Sequence, residues 1–335
     1  MPIDRRTALT GIASILGATA SAGPFHVQTS DPPPPRTGRR LRKIATEEAW
    51  IIPEIAEALR QVVRGGGPSL DLALLRGIYD APPGTPARFL PQLLDVEGER
   101  LAEMDAYAVD VHLLSLTAPG VQMFDSETGT RLARLANDRM AELVRRHPKR
   151  LAALASFAPQ DPAAAAKHPR APSDGMAEPF RDYRLESAVW GYGVEVGTHA
   201  LRLMMSGVLD RFPGLRIVIG HMGEALPFWM WRLDFMGAPG ARAAGRANQL
   251  KPSEYFRRNF AITTSGVEDP LALRFCIDKL GIDSVMWAID YPYQATAPAV
   301  AFLESAALSE HEREQIAHGN AERIFRIPAS SKTVD

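Results

Sequence analysis

Residues 215–224 read LRIVIGHMGE, and the chain continues as ALPFWMWR over residues 225–232. The largely apolar, β-branched run at 215–219 is typical of a buried parallel strand, both faces of which are covered by helices. A Gly-His turn ends this run, and the bulky apolar residues after it predict a helix. His221 and Glu224 therefore follow the carboxyl end of a strand, where α/β folds place their chemistry. The alternative is structural, with His221 capping the turn and Glu224 serving the helix N-terminus.

The composition fits a globular protein with small-molecule partners. The chain has 335 residues, 46% of them apolar, and a net charge of -1. This length suits one barrel-sized domain or two small ones. The balanced charge offers no electrostatic footprint for nucleic acid or an anionic membrane. Cys276 is the single cysteine, so neither an intrachain disulfide framework nor a cysteine-based zinc cage is expected.

The N-terminus is predicted to lie outside the fold. Arg5 and Arg6 precede an uncharged, weakly apolar run that is too short to span a bilayer and resembles a twin-arginine export signal. We therefore expect a periplasmic or secreted protein, with a cytoplasmic protein carrying an N-terminal extension as the alternative. The predicted segments are a signal peptide (1–22), a Pro-rich linker (23–42), the folded domain (43–328) and a tail (329–335).

Alternating strand and helix patterns begin at Lys43 and predict a parallel sheet or barrel. The predicted strands cover residues 43–46, 111–116, 151–157, 215–219, 259–264 and 284–289. The predicted helices begin near residues 53, 97, 127, 198, 224, 270, 297 and 310. A Gly- and Pro-rich stretch at 65–86 is predicted to be largely irregular, as loops of that length often border a site.

Four candidate ligands or bases stand at or just past the ends of apolar runs: Glu47, His168, His221 and Asp290. Parallel strands of a barrel all point the same way, so residues far apart in sequence can meet at one rim. Carboxylate oxygens and imidazole nitrogens suit a divalent metal with open positions for water or substrate. Each residue alone has a structural explanation, but their joint placement predicts a shared metal site.

Several motifs resemble those of the amidohydrolase-related (amidohydrolase 2) decarboxylases, a family that includes 2,3-dihydroxybenzoate, γ-resorcylate and aminocarboxymuconate semialdehyde decarboxylases. The motifs are KIATEEAW (43–50), MD (104–105), LSLTAPGVQ (114–122), HPR (168–170), WGYG (190–193), GHMGE (220–224) and DYP (290–292). The resemblance implies a TIM (β/α)₈-type barrel and a metal-dependent, non-oxidative decarboxylase of a hydroxylated aromatic acid. It implies one divalent metal, with Zn²⁺ as the first expectation and Mn²⁺ or Mg²⁺ as alternatives.

The resemblance also implies roles for individual residues. The metal ligands would be Glu47, His168 and Asp290, while Ala49 stands where some relatives have a further histidine. Asp290 would protonate the ring carbon that bears the carboxylate. His221, oriented by Glu224, would handle the phenolic proton or an ordered water.

Arg232 is the predicted substrate-binding residue. It lies eleven residues beyond His221, about 16 Å along a regular helix, so we do not expect it to reach its own site. The resemblance to aminocarboxymuconate semialdehyde decarboxylase, in which the matching arginine reaches a neighbouring subunit's site, implies the same role for Arg232. The expected assembly is a homodimer or a dimer of dimers. The alternative is a surface arginine paired with Asp234 or Glu224.

The predicted barrel is shortened around its fourth and fifth strands. Only residues 159–167 separate the third strand region from the HPR motif, whereas a further βαβ unit needs about 30 residues. A closed eight-stranded barrel cannot lose two strands without opening or replacing part of its wall. A genuine deletion, replacement by residues 171–189 and a faulty gene sequence all remain open. The alternative functions are a metal-dependent hydrolase of a lactone, ester or amide, and a degenerate, non-catalytic barrel.

Overall fold

The computed structural model describes residues 40–67, 69–82, 89–158, 178–181, 185–243 and 248–329. All of them belong to the compact unit Asp31–Asp335. The predicted signal peptide and His168 lie outside the described residues, as do most of the predicted linker and tail. Within the described ranges, no helix is both long enough and apolar enough to cross a membrane.

Strands and helices alternate along most of the described chain. The strands are β1 (Ile44–Trp50), β2 (Val111–Leu116), β3 (Leu151–Ala153), β4 (Ile217–Ile219), β5 (Phe260–Thr263) and β6 (Val285–Met286). The helices are α1 (Pro53–Gly65), α2 (Asp71–Tyr79), α3 (Leu90–Leu94), α4 (Glu99–Ala106), α5 (Ser126–Arg146), α6 (Glu178–Arg181), α7 (Gly191–Met205), α8 (Val208–Arg211), α9 (His221–Glu224), α10 (Leu226–Ala243), α11 (Pro252–Asn259), α12 (Pro270–Leu280), α13 (Thr296–Ser305), α14 (Glu310–Glu314) and α15 (Asn320–Phe325).

The strands form two parallel sheets in the orders β1-β2-β3 and β4-β5-β6. The predicted α/β class with parallel strands is therefore confirmed. Parallel strands must be covered on both faces, and the core accordingly contains fully buried side chains such as Trp287 and Tyr255. The indole N–H of Trp287 donates to the carbonyl of Ala299 at 3.0 Å, which satisfies its polar atom inside the core.

β1 contains an irregularity at the predicted site. Ala45 pairs with His112 and Glu48 pairs with Leu114, so β1 has one more residue than β2 across this interval. An extra residue of this kind bends a strand and changes the direction of its side chains. Glu47 lies within the interval and is half-buried, whereas Glu48 is fully buried.

Hydrogen bonds join β1 to the chain that follows β6, although the two strands belong to different sheets. The Thr46 hydroxyl donates to the Trp287 carbonyl at 2.8 Å. The Ala49 N–H donates to the Tyr291 carbonyl at 2.8 Å. These bonds define a seam between β1 and residues 287–291, and the seam lies beside the predicted ligands.

The structure corrects four predicted segments. The described residues between 65 and 82 are not largely irregular, because α2 occupies 71–79 and buries Leu72, Leu75 and Ile78 at helical spacing. β1 does not stop at residue 46 but continues to Trp50, because residues 48–50 still pair with residues 114–116 of β2. The third and last strands are shorter than predicted, as they cover residues 151–153 and 285–286.

Candidate metal centre

Glu47 reaches from β1 to the carboxyl end of β5. Its Oε2 atom accepts hydrogen bonds from the Thr263 hydroxyl at 2.5 Å and the Ser265 hydroxyl at 2.6 Å. Both donors are buried, so the two bonds fix the carboxylate in one orientation. A Cβ atom added to Gly220 would lie only 2.5 Å from Oε1 of Glu47. Because residue 220 has no side chain, the chain after β4 can lie this close to the Glu47 carboxylate.

The short element α9 is part of a left-handed turn. Five consecutive residues have positive φ: His221 (51°), Met222 (53°), Gly223 (76°), Glu224 (51°) and Ala225 (60°). For residues other than glycine this conformation costs of order 1–2 kcal/mol each, and it persists only where the surroundings enforce it. The sequence predicted an ordinary helix start here, and the regular helix α10 begins only at Leu226. The turn brings Nδ1 of His221 to 3.1 Å from Oε1 of Glu224.

Two further glycines lie against this pair. A Cβ atom on Gly193 would lie 2.7 Å from Oε2 of Glu224. A Cβ atom on Gly266, whose φ is +62°, would lie 3.1 Å from Cδ2 of His221. The backbone of α7 and of the loop after β5 thus confines both side chains.

Asp290 follows β6 and has a left-handed backbone with φ of 73°. Its Oδ2 atom lies 3.7 Å from Nε2 of His221. The N–H groups on either side of it, those of Ile289 and Tyr291, donate to the Glu48 carboxylate at 3.1 and 3.0 Å. Asp290 is therefore held from both sides while its own side chain faces His221.

Glu47, His221 and Asp290 form one cluster, in which a ligand atom from each lies within 4.8 Å of the other two. The structure thus brings together three of the four residues that the sequence predicted to share a site. His168 lies outside the described residues, so His221 is the histidine of the described cluster. Two carboxylates and an imidazole suit a divalent first-row metal.

The cluster shifts the pKa values of its members. Burial raises the pKa of Asp290 to about 6, although the interaction with His221 opposes the shift. Burial lowers the pKa of His221, but Asp290 and Glu224 outweigh burial and raise it to about 11. The imidazolium form of His221 is therefore favoured next to a carboxyl group that takes up a proton more readily than usual.

Arg232 lies on the exposed side of α10. Among the described residues it forms no ion pair, and the two partners proposed in the structural alternative are engaged elsewhere. Glu224 contacts His221, while Asp234 accepts from the N–H and hydroxyl of Ser253 at 2.9 and 2.7 Å. Arg232 therefore pairs with neither Asp234 nor Glu224.

Aromatic residues near the predicted site separate into different environments. Trp50 is buried in the core, and Trp190 is 56% exposed. The N–H of Tyr293 donates to the Asp290 carbonyl at 2.8 Å, and its ring packs 5.2 Å from that of Phe89. Tyr293 therefore lies beside the cluster and supplies an aromatic surface there.

Thr263 and Ser265 are site residues that the sequence analysis above does not include. Both stand at or just past the end of a strand, so the criterion that selected His221 and Asp290 would have found them as well. The roles of Glu48 and of the three glycines were also not foreseen. These depend on close contacts between distant segments, which no local pattern indicates.

Comparisons with known proteins identify several similar decarboxylases. The family model described as amidohydrolase matches residues 168–327. The chain is 31% identical over 290 residues to a γ-resorcylate decarboxylase of Polaromonas sp., with 70% of this chain and 89% of the relative covered. The solved 5-carboxyvanillate decarboxylase of Sphingomonas paucimobilis is 51% identical, with a TM-score of 0.83 and coverage of 86% of this chain and 100% of that chain. A second 5-carboxyvanillate decarboxylase, from Novosphingobium aromaticivorans, was solved with manganese and 4-hydroxy-3-methoxy-5-nitrobenzoic acid; it is 32% identical with a TM-score of 0.80, and 85% of this chain and 96% of that chain are covered.

Proposed function

Because this chain belongs to the amidohydrolase-related decarboxylases, we propose that it is a metal-dependent, non-oxidative decarboxylase of a hydroxylated aromatic carboxylic acid. The observation that carries this proposal is the convergence of Glu47, His221 and Asp290 within 4.8 Å. The three similar proteins named above are all decarboxylases. The hydrolase and the non-catalytic barrel have no comparable support.

The chain's donor set fits a divalent metal. We assign Glu47, Asp290 and His168 as its protein ligands, in keeping with the sequence prediction, and His221 as the neighbouring proton-handling group. When bound, the metal supplies positive charge that draws in and orients the carboxylate and phenolic oxygens of the substrate. The manganese in the Novosphingobium structure makes Mn²⁺ the first ion to test. The expectation of Zn²⁺ stays a prediction.

The residues of the chain account for the proton transfers. The Asp290 carboxyl donates its proton to the ring carbon that bears the carboxylate, and the bond from that carbon to the carboxylate then breaks. The electron pair of the broken bond restores the aromatic ring, and carbon dioxide leaves. Burial raises the pKa of Asp290, whereas a bound cation would lower it, so burial and metal together set how readily this carboxyl gives up its proton. The imidazolium of His221, held by Glu224, donates a hydrogen bond to the phenolic oxygen and so stabilises the phenolate form of the substrate.

The substrate class follows from a feature that the relatives' substrates share. γ-Resorcylate and 5-carboxyvanillate both carry a carboxylate next to a phenolic hydroxyl. The compound bound in the Novosphingobium structure has a nitro group next to its hydroxyl, at the position of the departing carboxylate. The 51% identity to a 5-carboxyvanillate decarboxylase exceeds the 31% identity to the γ-resorcylate enzyme. We therefore infer that 5-carboxyvanillate is the better first substrate.

We also propose that the two parallel sheets are parts of a (β/α)₈-type barrel that is shortened around its fourth and fifth strands. The described residues contain six strands, the number counted in the sequence. The alignment with the Polaromonas relative extends over 290 positions but takes in only 70% of this chain, which is about 235 of its 335 residues. This difference supports a segment that the relative has and this chain lacks.

Two further proposals concern assembly and location. We propose that Arg232 binds the substrate carboxylate across a homodimer. Its exposed position on α10 and its neighbours Trp231, 72% exposed, and Phe235, 63% exposed, support a contact with a second copy. Export through a twin-arginine signal rests on residues 1–22, which lie outside the described part of the chain.

Decarboxylation of the metal-loaded chain tests the function. The purified protein is stripped with a chelator and reloaded with Mn²⁺, Zn²⁺ or Mg²⁺, and each form is incubated with 5-carboxyvanillate and with γ-resorcylate. We expect carbon dioxide and the decarboxylated phenol from at least one substrate, none from the stripped protein, and none from Asp290→Asn. No carbon dioxide from any loaded form would overturn the proposal.

A further inference from the structure

Glu48 is a buried carboxylate that no role assigned above uses. It is fully excluded from solvent, and both of its oxygens are hydrogen-bonded to backbone. Oε1 accepts from the N–H of Ile289 at 3.1 Å, and Oε2 accepts from the N–H of Tyr291 at 3.0 Å. The residue between these two donors is Asp290. A single side chain thus holds the backbone on both sides of a predicted metal ligand.

Glu48 also lies next to a second predicted ligand, because its neighbour in β1 is Glu47. The two sheets are not joined here by a continuous ladder of backbone hydrogen bonds among the described residues. Glu48 therefore joins the segment that carries Glu47 to the segment that carries Asp290, and it does so beside both ligands.

Arg100 contacts both of the segments that Glu48 joins. It is fully buried, donates from Nη2 to the Ala49 carbonyl at 2.6 Å, and places its guanidinium 4.5 Å from the centre of the Tyr291 ring. Burial raises the pKa of Glu48 to about 8, and the two N–H donors and the charge of Arg100 oppose this shift. Arg100 thereby holds both Ala49, which follows Glu48 in β1, and Tyr291, which follows Asp290.

We propose that Glu48 is a positioning residue that sets the separation and orientation of Glu47 and Asp290 for metal binding. The Asp290 backbone has a left-handed φ of 73°, which needs support from its surroundings. Glu48 provides that support through the two flanking N–H groups. The inference rests on the proposed function where it invokes the metal, but the hydrogen bonds can be tested without catalysis.

Glu48→Gln is the informative variant, because it keeps the shape of the side chain. Its amide oxygen can accept from one of the two N–H groups, but its NH₂ group then faces the other donor. Thr46→Val is the matched control. It removes one hydrogen bond of the same seam, from the Thr46 hydroxyl to the Trp287 carbonyl, which lies three residues before Asp290. Both variants weaken the seam, and only Glu48→Gln releases the residues that flank Asp290.

Three measurements are made on the wild type and both variants: Mn²⁺ affinity by calorimetry, kcat and KM with 5-carboxyvanillate, and amide hydrogen exchange of residues 286–294. Partners that orient metal ligands typically contribute 10–100-fold to affinity or activity. We expect Glu48→Gln to lose Mn²⁺ affinity on this scale, to lose kcat more than KM, and to exchange faster over 286–294. Thr46→Val should stay within about 3-fold of wild type in affinity.

The outcomes separate this proposal from the proposed function. Equal losses of Mn²⁺ affinity in the two variants, or no loss in either, would overturn the positioning role. A wild type that binds Mn²⁺ without releasing carbon dioxide would refute the decarboxylase, while the affinities still test Glu48. If the wild type binds no Mn²⁺, hydrogen exchange decides: unchanged exchange in Glu48→Gln refutes the role, and faster exchange specific to that variant supports it.

Discussion

Gly220→Ala should displace Glu47 without straining the backbone. Gly220 has φ of -67° and ψ of -176°, a conformation that alanine adopts freely, so the effect of the substitution falls on the neighbouring side chain. The new Cβ atom would lie 2.5 Å from Oε1 and 2.8 Å from Oε2 of Glu47. To reach an ordinary contact of 3.4 Å, the nearer oxygen must move by about 0.9 Å.

Glu47 cannot make this movement and keep its partners. Its Oε2 is bound to Thr263 and Ser265 at 2.5 and 2.6 Å, so a shift of this size breaks or lengthens both bonds. A misplacement of about 1 Å at a reacting site can reduce the rate by about 100-fold. We therefore expect Gly220→Ala to lose about two orders of magnitude in kcat/KM for carbon dioxide release, together with a weaker Mn²⁺ affinity.

Gly214→Ala is the matched control, since no atom lies within 4 Å of a Cβ atom at that position six residues earlier. It should match wild type in both measurements. Calorimetric titration with Mn²⁺ and a continuous assay of substrate disappearance would compare the three proteins. If Gly220→Ala keeps wild-type affinity and kcat/KM, Glu47 does not act from the position described here.

Two predictions concern stability. Ser309 caps α14: its hydroxyl oxygen accepts from the N–H of Glu312 at 3.2 Å, and its N–H donates to the Glu312 carboxylate at 2.9 Å. Ser309→Ala should lower the free energy of unfolding, measured in urea, by about 1 kcal/mol. Ser309→Asp retains a capping oxygen and should not lower it. His112 is fully buried, and burial holds its pKa well below 6.5. Below about pH 6.5 the unfolded chain therefore binds a proton at this histidine that the folded chain does not, so the free energy of unfolding should fall by up to about 1.4 kcal/mol per pH unit. In His112→Gln the free energy of unfolding should fall less steeply between about pH 6.5 and 5.5. Identical pH slopes in wild type and variant would show that the pKa of His112 is not lowered in the folded protein.

Most of the candidate site could be predicted from one feature of the sequence, the polar residues that follow predicted strands. The apolar run before His221 and the one before Asp290 predicted where these side chains lie, because parallel strands bring their carboxyl ends to one edge. Glu47 was correctly grouped with them, although it lies inside β1 and not beyond it. The spacing of apolar residues could not reveal that an extra residue in β1 sends adjacent carboxylates to different partners.

The left-handed turn at 221–225 was beyond local pattern reading. Four of its five residues are not glycine and prefer a right-handed conformation, so their propensities predict the wrong geometry. Tertiary contacts enforce the turn, and Gly223 shows how tightly: an added Cβ atom there would lie 2.9 Å from Ile262. Burial of α2 was missed for a different reason, since the glycines and prolines around it suggested a loop while its own Leu72, Leu75 and Ile78 kept helical spacing.

The seam between β1 and residues 287–291 has a consequence for biosynthesis. Glu47 lies in β1, whereas Asp290 follows β6, 243 residues later in the chain. A nascent chain, or one truncated before the last strand, holds at most part of the ligand set and cannot close the seam. Because chains emerge N-terminus first, a metal held by both residues, as proposed above, would bind only after β6 has been synthesised. Occupancy of the proposed site would then distinguish chains that contain β6 and Asp290 from chains that lack them.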